Sequence, residues 1–193
     1  DIHVSVVKGY QIPKTVTKKS LVITTSVSGN TQETITILKN AHKMETQTIA
    51  FASGGDIEKY CKKNNIEFRK IERIHSPRAS IDTFLFSMLK ILGPIIPISK
   101  KNINESIVDM QKLALIISSN NLNETNLALD LAKWIKHIPM IYYPWGLQSA
   151  AIRFKNCLQE NAKIHVMTED VVEACHNGIV SWEKTSQIQP ILI

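Results

Sequence analysis

Between residues 20 and 71 the apolar pattern switches period repeatedly, and that alternation constrains the fold more than any other feature. Residues 21–25 (Leu-Val-Ile-Thr-Thr) are rich in β-branched residues and predict a strand, and residues 31–43 then place Ile35, Leu38 and Ala41 at helical spacing. Residues 48–51 are apolar again, a polar helical segment follows the Ser53-Gly54-Gly55 turn as far as Asn64, and residues 66–71 read as a further strand. Strands separated by helices of this length need crossover connections, so the sheet is predicted to be parallel, with helices on both faces. Ligands of such sheets bind at the carboxyl ends of the strands. Ahead of this block, residues 2–7 alternate and predict one more strand, broken by Lys8-Gly9-Tyr10 and Pro13.

Beyond Pro77, residues 79–92 predict a helix that turns Phe84, Met88 and Leu92 toward a core and stops at Gly93-Pro94. That stop is the expected boundary between two subdomains, 1–93 and 94–193. The second half reads as helices over 103–118 and 124–136, a strand over 138–143, a helix over 147–162 and a strand over 164–167. A short helical segment and the polar stretch 183–193 are too little to complete a sheet comparable to the first, so the second subdomain is expected to be incomplete. The chain opens on Asp1 rather than Met, and the expectation is a piece of a longer protein, truncated at both ends.

Composition narrows the function classes. With 193 residues, 44% of them hydrophobic and 21% charged, the chain can bury a core and is no disordered or fibrous repeat. The net charge of +6 is spread over separated pairs such as Lys18-Lys19, Lys62-Lys63 and Lys100-Lys101, with no zinc-knuckle or helix-turn-helix signature. A small anion is the expected partner, and nucleic acid is not. The three cysteines, Cys61, Cys157 and Cys175, are odd in number and far apart, which predicts no disulfide framework, no metal site and a reducing cytoplasm. The longest apolar stretch, residues 84–98, is interrupted by Lys90, Gly93 and two prolines, so no membrane span is expected.

The sharpest local signal is Ser26-Val27-Ser28-Gly29-Asn30-Thr31, placed where a buried strand hands over to a helix. Hydroxyls, a glycine turn and the free N–H groups of a helix N-terminus suit an ester phosphate. The same residue types also make an ordinary helix cap, and spacing alone leaves both readings open. Neither GxxxxGK nor GxGxxG is present, which removes the support for nucleotide binding.

Six short motifs in order add a resemblance. Tyr10-Gln11-Ile12-Pro13, the Ser26 to Thr34 loop, Ala52-Ser53-Gly54-Gly55, Pro77-Arg78-Ala79, Arg153-Phe154-Lys155-Asn156 with Glu160-Asn161-Ala162-Lys163, and His176-Asn177 with Trp182-Glu183 are similar to those of the bifunctional phosphoglucose/phosphomannose isomerases. The resemblance implies a three-layer α/β/α sugar-isomerase (SIS) fold with parallel sheets and two SIS-like subdomains, the second incomplete. It implies interconversion of glucose 6-phosphate or mannose 6-phosphate with fructose 6-phosphate, needing no cofactor or metal, in a homodimer. Ser26, Ser28 and Thr31 would hold the phosphate. Glu160 would be the base of a proton transfer through an enediolate, His176 the acid that opens the ring, and Arg78 the cation facing the oxyanion.

Read by themselves, these residues have plainer roles. Arg153, Asn156, Glu160 and Lys163 would share one face of a continuous helix as a solvated, salt-bridged stripe. His176 would be a surface histidine, and Arg78 would cap a helix or pair with Asp82. The family has a Gly-rich strand-turn-helix ahead of the first matching motif, a lysine beyond the last, and His-Asn-Glu where this chain has His176-Asn177-Gly178. Those departures keep a second reading in view, a non-catalytic phosphosugar-binding regulatory protein.

Overall fold

The computed structural model describes residues 2–74 and 76–193; Asp1 and His75 lie outside them. The chain divides into two compact units, one ending at Ile98 and the other spanning Ser99–Ile193. The first unit carries β1 (Leu21–Ser26), α1 (Gln32–Lys43), β2 (Gln47–Ala52), α2 (Gly55–Lys63), β3 (Glu67–Lys70), a 3₁₀ turn at Pro77–Ser80 and α3 (Ile81–Leu92). Its sheet has the order β1-β2-β3 and is parallel throughout, with Leu21 opposite Gln47, Ser26 opposite Ala52 and Ile49 opposite Glu67. Ala50, Phe51 and Ala52 of the central strand are fully buried in succession, as a strand covered on both faces requires. Ala50 and Ala52 pack with Ile35 and Leu38 of α1 and with Ile57 and Cys61 of α2. Helix α1 places Glu33 in its first turn and His42 and Lys43 in its last, complementing the helix dipole at both ends.

The second unit carries α4 (Lys100–Ile116), α5 (Leu127–Trp134), β4 (Ile138–Tyr143), α6 (Gln148–Cys157), a π turn at Leu158–Ala162, β5 (Met167–Asp170), α7 (Val171–His176), a 3₁₀ turn at Gly178–Glu183 and β6 (Ile188–Leu192). Its parallel sheet has the order β5-β4-β6, and Ile141 and Tyr143 of the central strand pack on Ala151 of α6 and Val166. Strands and helices alternate in both units, and the α/β class with parallel sheets stands as predicted. Among the described residues, no helix is long and apolar enough to cross a membrane.

Four local expectations fail, each for a physical reason. Residues 2–7 join no strand: their alternation is real, but a strand needs a partner edge within hydrogen-bonding reach. The strand expected at 164–167 pairs as Met167–Asp170, because Ile164 and Val166 pack into the core ahead of the ladder. Residues 188–192, taken as part of a polar tail, form β6 beside β4. Pro190 disguised that strand, since proline argues against an interior strand but is tolerated at an edge. The second sheet therefore equals the first in strand number, three in each. The helix expected over 147–162 ends as an α-helix at Cys157 and widens into the π turn.

At the carboxyl ends of β1 and β2 two loops are fastened together. The carbonyl of Val27 accepts from the Ser53 N–H at 3.1 Å and the carbonyl of Gly29 accepts from the Ile57 N–H at 2.9 Å. The Asn30 side-chain oxygen accepts from the Asp56 N–H at 2.9 Å. The contact needs two glycines: a Cβ on Gly29, whose φ is +72°, would stand 1.7 Å from the Gly54 carbonyl oxygen, and one on Gly55 would stand 2.6 Å from the Ser28 carbonyl oxygen.

Gly29→Ala forces backbone apart at a left-handed position and should cost about 3 kcal/mol of stability, read as a lowered denaturant midpoint with an unchanged slope. Burial pushes the Cys61 thiol from its ordinary 9.0 up to about 11. The folded state then holds this proton to higher pH than the unfolded state does, so its contribution to stability is complete below pH 9 and is lost as pH rises toward 11. In the native protein at pH 8, a thiol reagent should modify the exposed Cys175 and reach the buried Cys61 only on unfolding.

Candidate functional site

The three parallel strands of the first unit send their following loops to one end of the sheet, and the loop from Ser26 to Thr31 sits there. Ser26, the last residue of β1, is buried, and its hydroxyl accepts from the Gly29 N–H at 3.0 Å while sharing a 2.9 Å bond with the Thr31 hydroxyl. Ser28 is exposed, and its oxygen accepts from the Asn30 N–H at 3.2 Å, so its own O–H remains a donor to the outside. Thr31 is the exposed N-cap residue of α1 yet makes no side-chain cap, because its hydroxyl turns to Ser26. The side chain that normally satisfies the first N–H groups of a helix is therefore engaged elsewhere. The capping explanation of this motif, left open by spacing, is not the one the side chain of Thr31 follows.

Arg78 lies farther along the same unit, exposed in the 3₁₀ turn after β3, where Ser80 donates its hydroxyl to the Ser76 carbonyl at 3.0 Å. Tyr10, of the Tyr-x-x-Pro segment, stands beside the first turn of α1. The Glu33 carboxylate raises its phenol above the ordinary 10.0, with burial and a hydrogen bond to the same carboxylate adding to the effect.

Glu160 and His176 belong to the second unit and sit on separate elements. Glu160 is exposed in the π turn that ends α6, and Lys163 closes that turn in the left-handed conformation at φ +59°. A π turn carries one more residue per hydrogen-bonded loop than an α-helix, so the spacing of an ideal helix does not continue to Glu160. The helix that carries Arg153 and Asn156 passes into a π turn before it reaches Glu160. His176 ends α7, exposed, with its Nδ1 bonded to the Val172 carbonyl at 2.9 Å. A carbonyl can only accept, so Nδ1 carries the proton and Nε2 is left as the atom that can take up or release another. At Gly178 a Cβ would lie 3.3 Å from a carboxylate oxygen of Glu169, which places a carboxylate beside the turn even though position 178 has none.

Sequence reasoning missed Asn30 as the residue that fastens the two loops through its side chain. It also missed the link between Tyr142 and Trp182, where the indole N–H donates to the phenol oxygen at 3.1 Å. The first could have been found in the pairing of Ser-Gly-Asn with Ser-Gly-Gly. The second joins residues 40 apart and has no local signal.

Residues 124–193 match the model of the bacterial phospho-glucose isomerase C-terminal SIS domain. The bifunctional phosphoglucose/phosphomannose isomerase of Caldicellulosiruptor bescii is 31% identical over 193 residues, covering 97% of this chain and 56% of that protein. The enzyme of the same description from Thermoplasma volcanium is 29% identical, covering 94% and 56%. Among solved structures, the tagatose-6-phosphate ketose/aldose isomerase of Escherichia coli superposes with a TM-score of 0.63 at 14% identity, covering 92% of this chain and 50% of that one, a likeness of fold. The chain spans about half the length of the curated relatives it matches. Two such relatives align along nearly the whole chain and the SIS domain model matches its carboxyl end, so the chain is similar to about half of a bifunctional phosphoglucose/phosphomannose isomerase.

Proposed function

We propose that this chain forms part of a phosphosugar isomerase that interconverts glucose 6-phosphate or mannose 6-phosphate with fructose 6-phosphate. The observation that carries the reading is the hydroxyl-bearing loop after β1, in which the N-cap residue of α1 leaves the helix N-terminus uncapped by its side chain. In this reading the hydroxyls of Ser28 and Thr31 and the first N–H groups of α1 hold the ester phosphate, and the buried Ser26 hydroxyl fixes the shape of the loop.

The reaction moves one proton between C2 and C1. Glu160 takes the proton from the carbon next to the carbonyl and returns it to the other, so that the developing charge rests on the enediolate oxygens. Arg78 faces that charge as a fixed cation, and Nε2 of His176 exchanges the proton on the ring oxygen. The exposed positions of Glu160 and His176 accord with a site completed by a second copy of the chain, and a homodimer in the cytoplasm is the assembly proposed. A regulatory protein that binds a phosphosugar without turning it over is the second reading, favoured by the glycine at position 178.

Incubation with fructose 6-phosphate in deuterated water separates the two. The isomerase reading predicts deuterium at C1 with the wild-type chain and a rate lower by about 10²- to 10⁴-fold with Glu160→Gln, followed by NMR. Binding of the phosphosugar with no exchange in the wild type would leave the regulatory reading standing alone. Ser28→Ala should weaken fructose 6-phosphate binding several-fold at unchanged thermal stability, whereas Ser26→Ala should lower stability as well by about 1–3 kcal/mol. Calorimetry on both variants distinguishes a ligand contact from a support for the loop.

A further inference from the structure

Asn177 is the one asparagine of the chain that is followed by glycine. The pair lies where α7 ends and the second 3₁₀ turn begins; Asn177 is exposed, and its φ of −123° has left the helical range. A backbone amide nitrogen can attack the side-chain amide carbon of the residue before it and close a five-membered ring. A side chain next to the attacking nitrogen hinders that approach, and glycine has none. Asn30, Asn65 and Asn102 are each followed by a β-branched residue. At Gly178 a Cβ would meet a Glu169 carboxylate oxygen at 3.3 Å and the Ala174 Cβ at 3.6 Å, so the turn is built around the missing side chain.

The surroundings decide what such a ring closure would do. The Asn177 side-chain N–H donates to the Glu173 carboxylate at 3.0 Å, four residues back in α7, and the Asn177 backbone N–H donates to the Glu173 carbonyl at 3.4 Å. These bonds fasten the end of a helix only six residues long. His176 precedes Asn177 directly, and its Nδ1 bond to the Val172 carbonyl depends on the same turn. A carboxylate at position 177 would have no proton to give, and Glu173 would meet it as a like charge at the spacing where such pairs destabilise a helix.

We propose that Asn177 is a site of spontaneous deamidation, which turns the contact closing α7 from attraction into repulsion and loosens the turn that carries His176. The Gly178 nitrogen forms a bond to the Asn177 side-chain amide carbon and gives up its proton. The bond from that carbon to Nδ2 breaks, and Nδ2 takes the proton and leaves as ammonia. Water then opens the succinimide at either of its carbonyls, leaving aspartate or isoaspartate at position 177. Both products add a negative charge, and isoaspartate also adds a methylene to the backbone between His176 and Gly178. The chemistry is independent of any phosphosugar.

The full 193-residue chain is held at pH 8 and followed by peptide mass mapping, with an isoaspartate methyltransferase to mark the isomerised product. The peptide holding Asn177 should gain about one dalton several-fold faster than those holding Asn30 or Asn161, and both products should appear in it. Asn177→Gln keeps the amide donor but not the five-membered ring, and should abolish the gain at that position. Asn177→Asp makes one product directly. Its amides in the last turn of α7 should exchange about two- to fivefold faster than those of Asn177→Gln, and the difference should shrink in high salt. Conversion at Asn177 no faster than at Asn30 or Asn161 would overturn the proposal. So would equal exchange in the two variants, or a difference that salt leaves unchanged.

Discussion

The contact between the loops that follow β1 and β2 is the constraint on which the first unit depends. Two parallel strands emerge side by side and each must hand over to a helix, so their loops compete for the same space above the sheet. Glycine backbone on both sides resolves the competition, because Gly29 and Gly55 occupy conformations and volumes no other residue could share. Peptide groups of one loop then satisfy those of the other, and the Asn30 side chain meets the first turn of α2. The hydroxyls of Ser26, Ser28 and Thr31 are arranged on a frame fixed from below, and the proposed phosphate site would draw its preorganisation from that frame. A loop built this way spends little freedom when a ligand arrives.

The family resemblance and the local geometry address different parts of the chain. The loop geometry of the first unit stands without reference to any relative: the Ser26 and Thr31 hydroxyls bond to each other, while Ser28 is exposed and accepts only from the Asn30 N–H. Glu160 and His176 are the reverse case. Their assignment comes from the motif match, and the geometry adds only a π turn at the end of α6 and a ring whose tautomer is set by the Val172 carbonyl.

What was legible in the sequence followed from periodicity, and what was not depended on partners. Strands β2 and β4 were readable because a strand covered on both faces is apolar residue after residue, and α1 because Ile35, Leu38 and Ala41 repeat with the helix. Residues 2–7 have strand composition without a strand neighbour, and composition cannot say whether a neighbour exists. β6 was hidden by its proline, and the widened end of α6 by the assumption that a helical pattern keeps a single period. The site showed the same division: its hydroxyls could be picked out one by one, but which of them faces inward is decided by residues elsewhere in the fold.

Pro190 carries a consequence for the molecule in a crowded solution. A foreign strand that approaches β6 finds a rung of the ladder missing, and one that approaches β5 meets Glu169 and Asp170. The second sheet therefore offers a poor template at either side. In the first sheet Glu67, Arg69 and Lys70 give β3 the same protection, so charge and proline do in three different strands what a covering element would otherwise have to do.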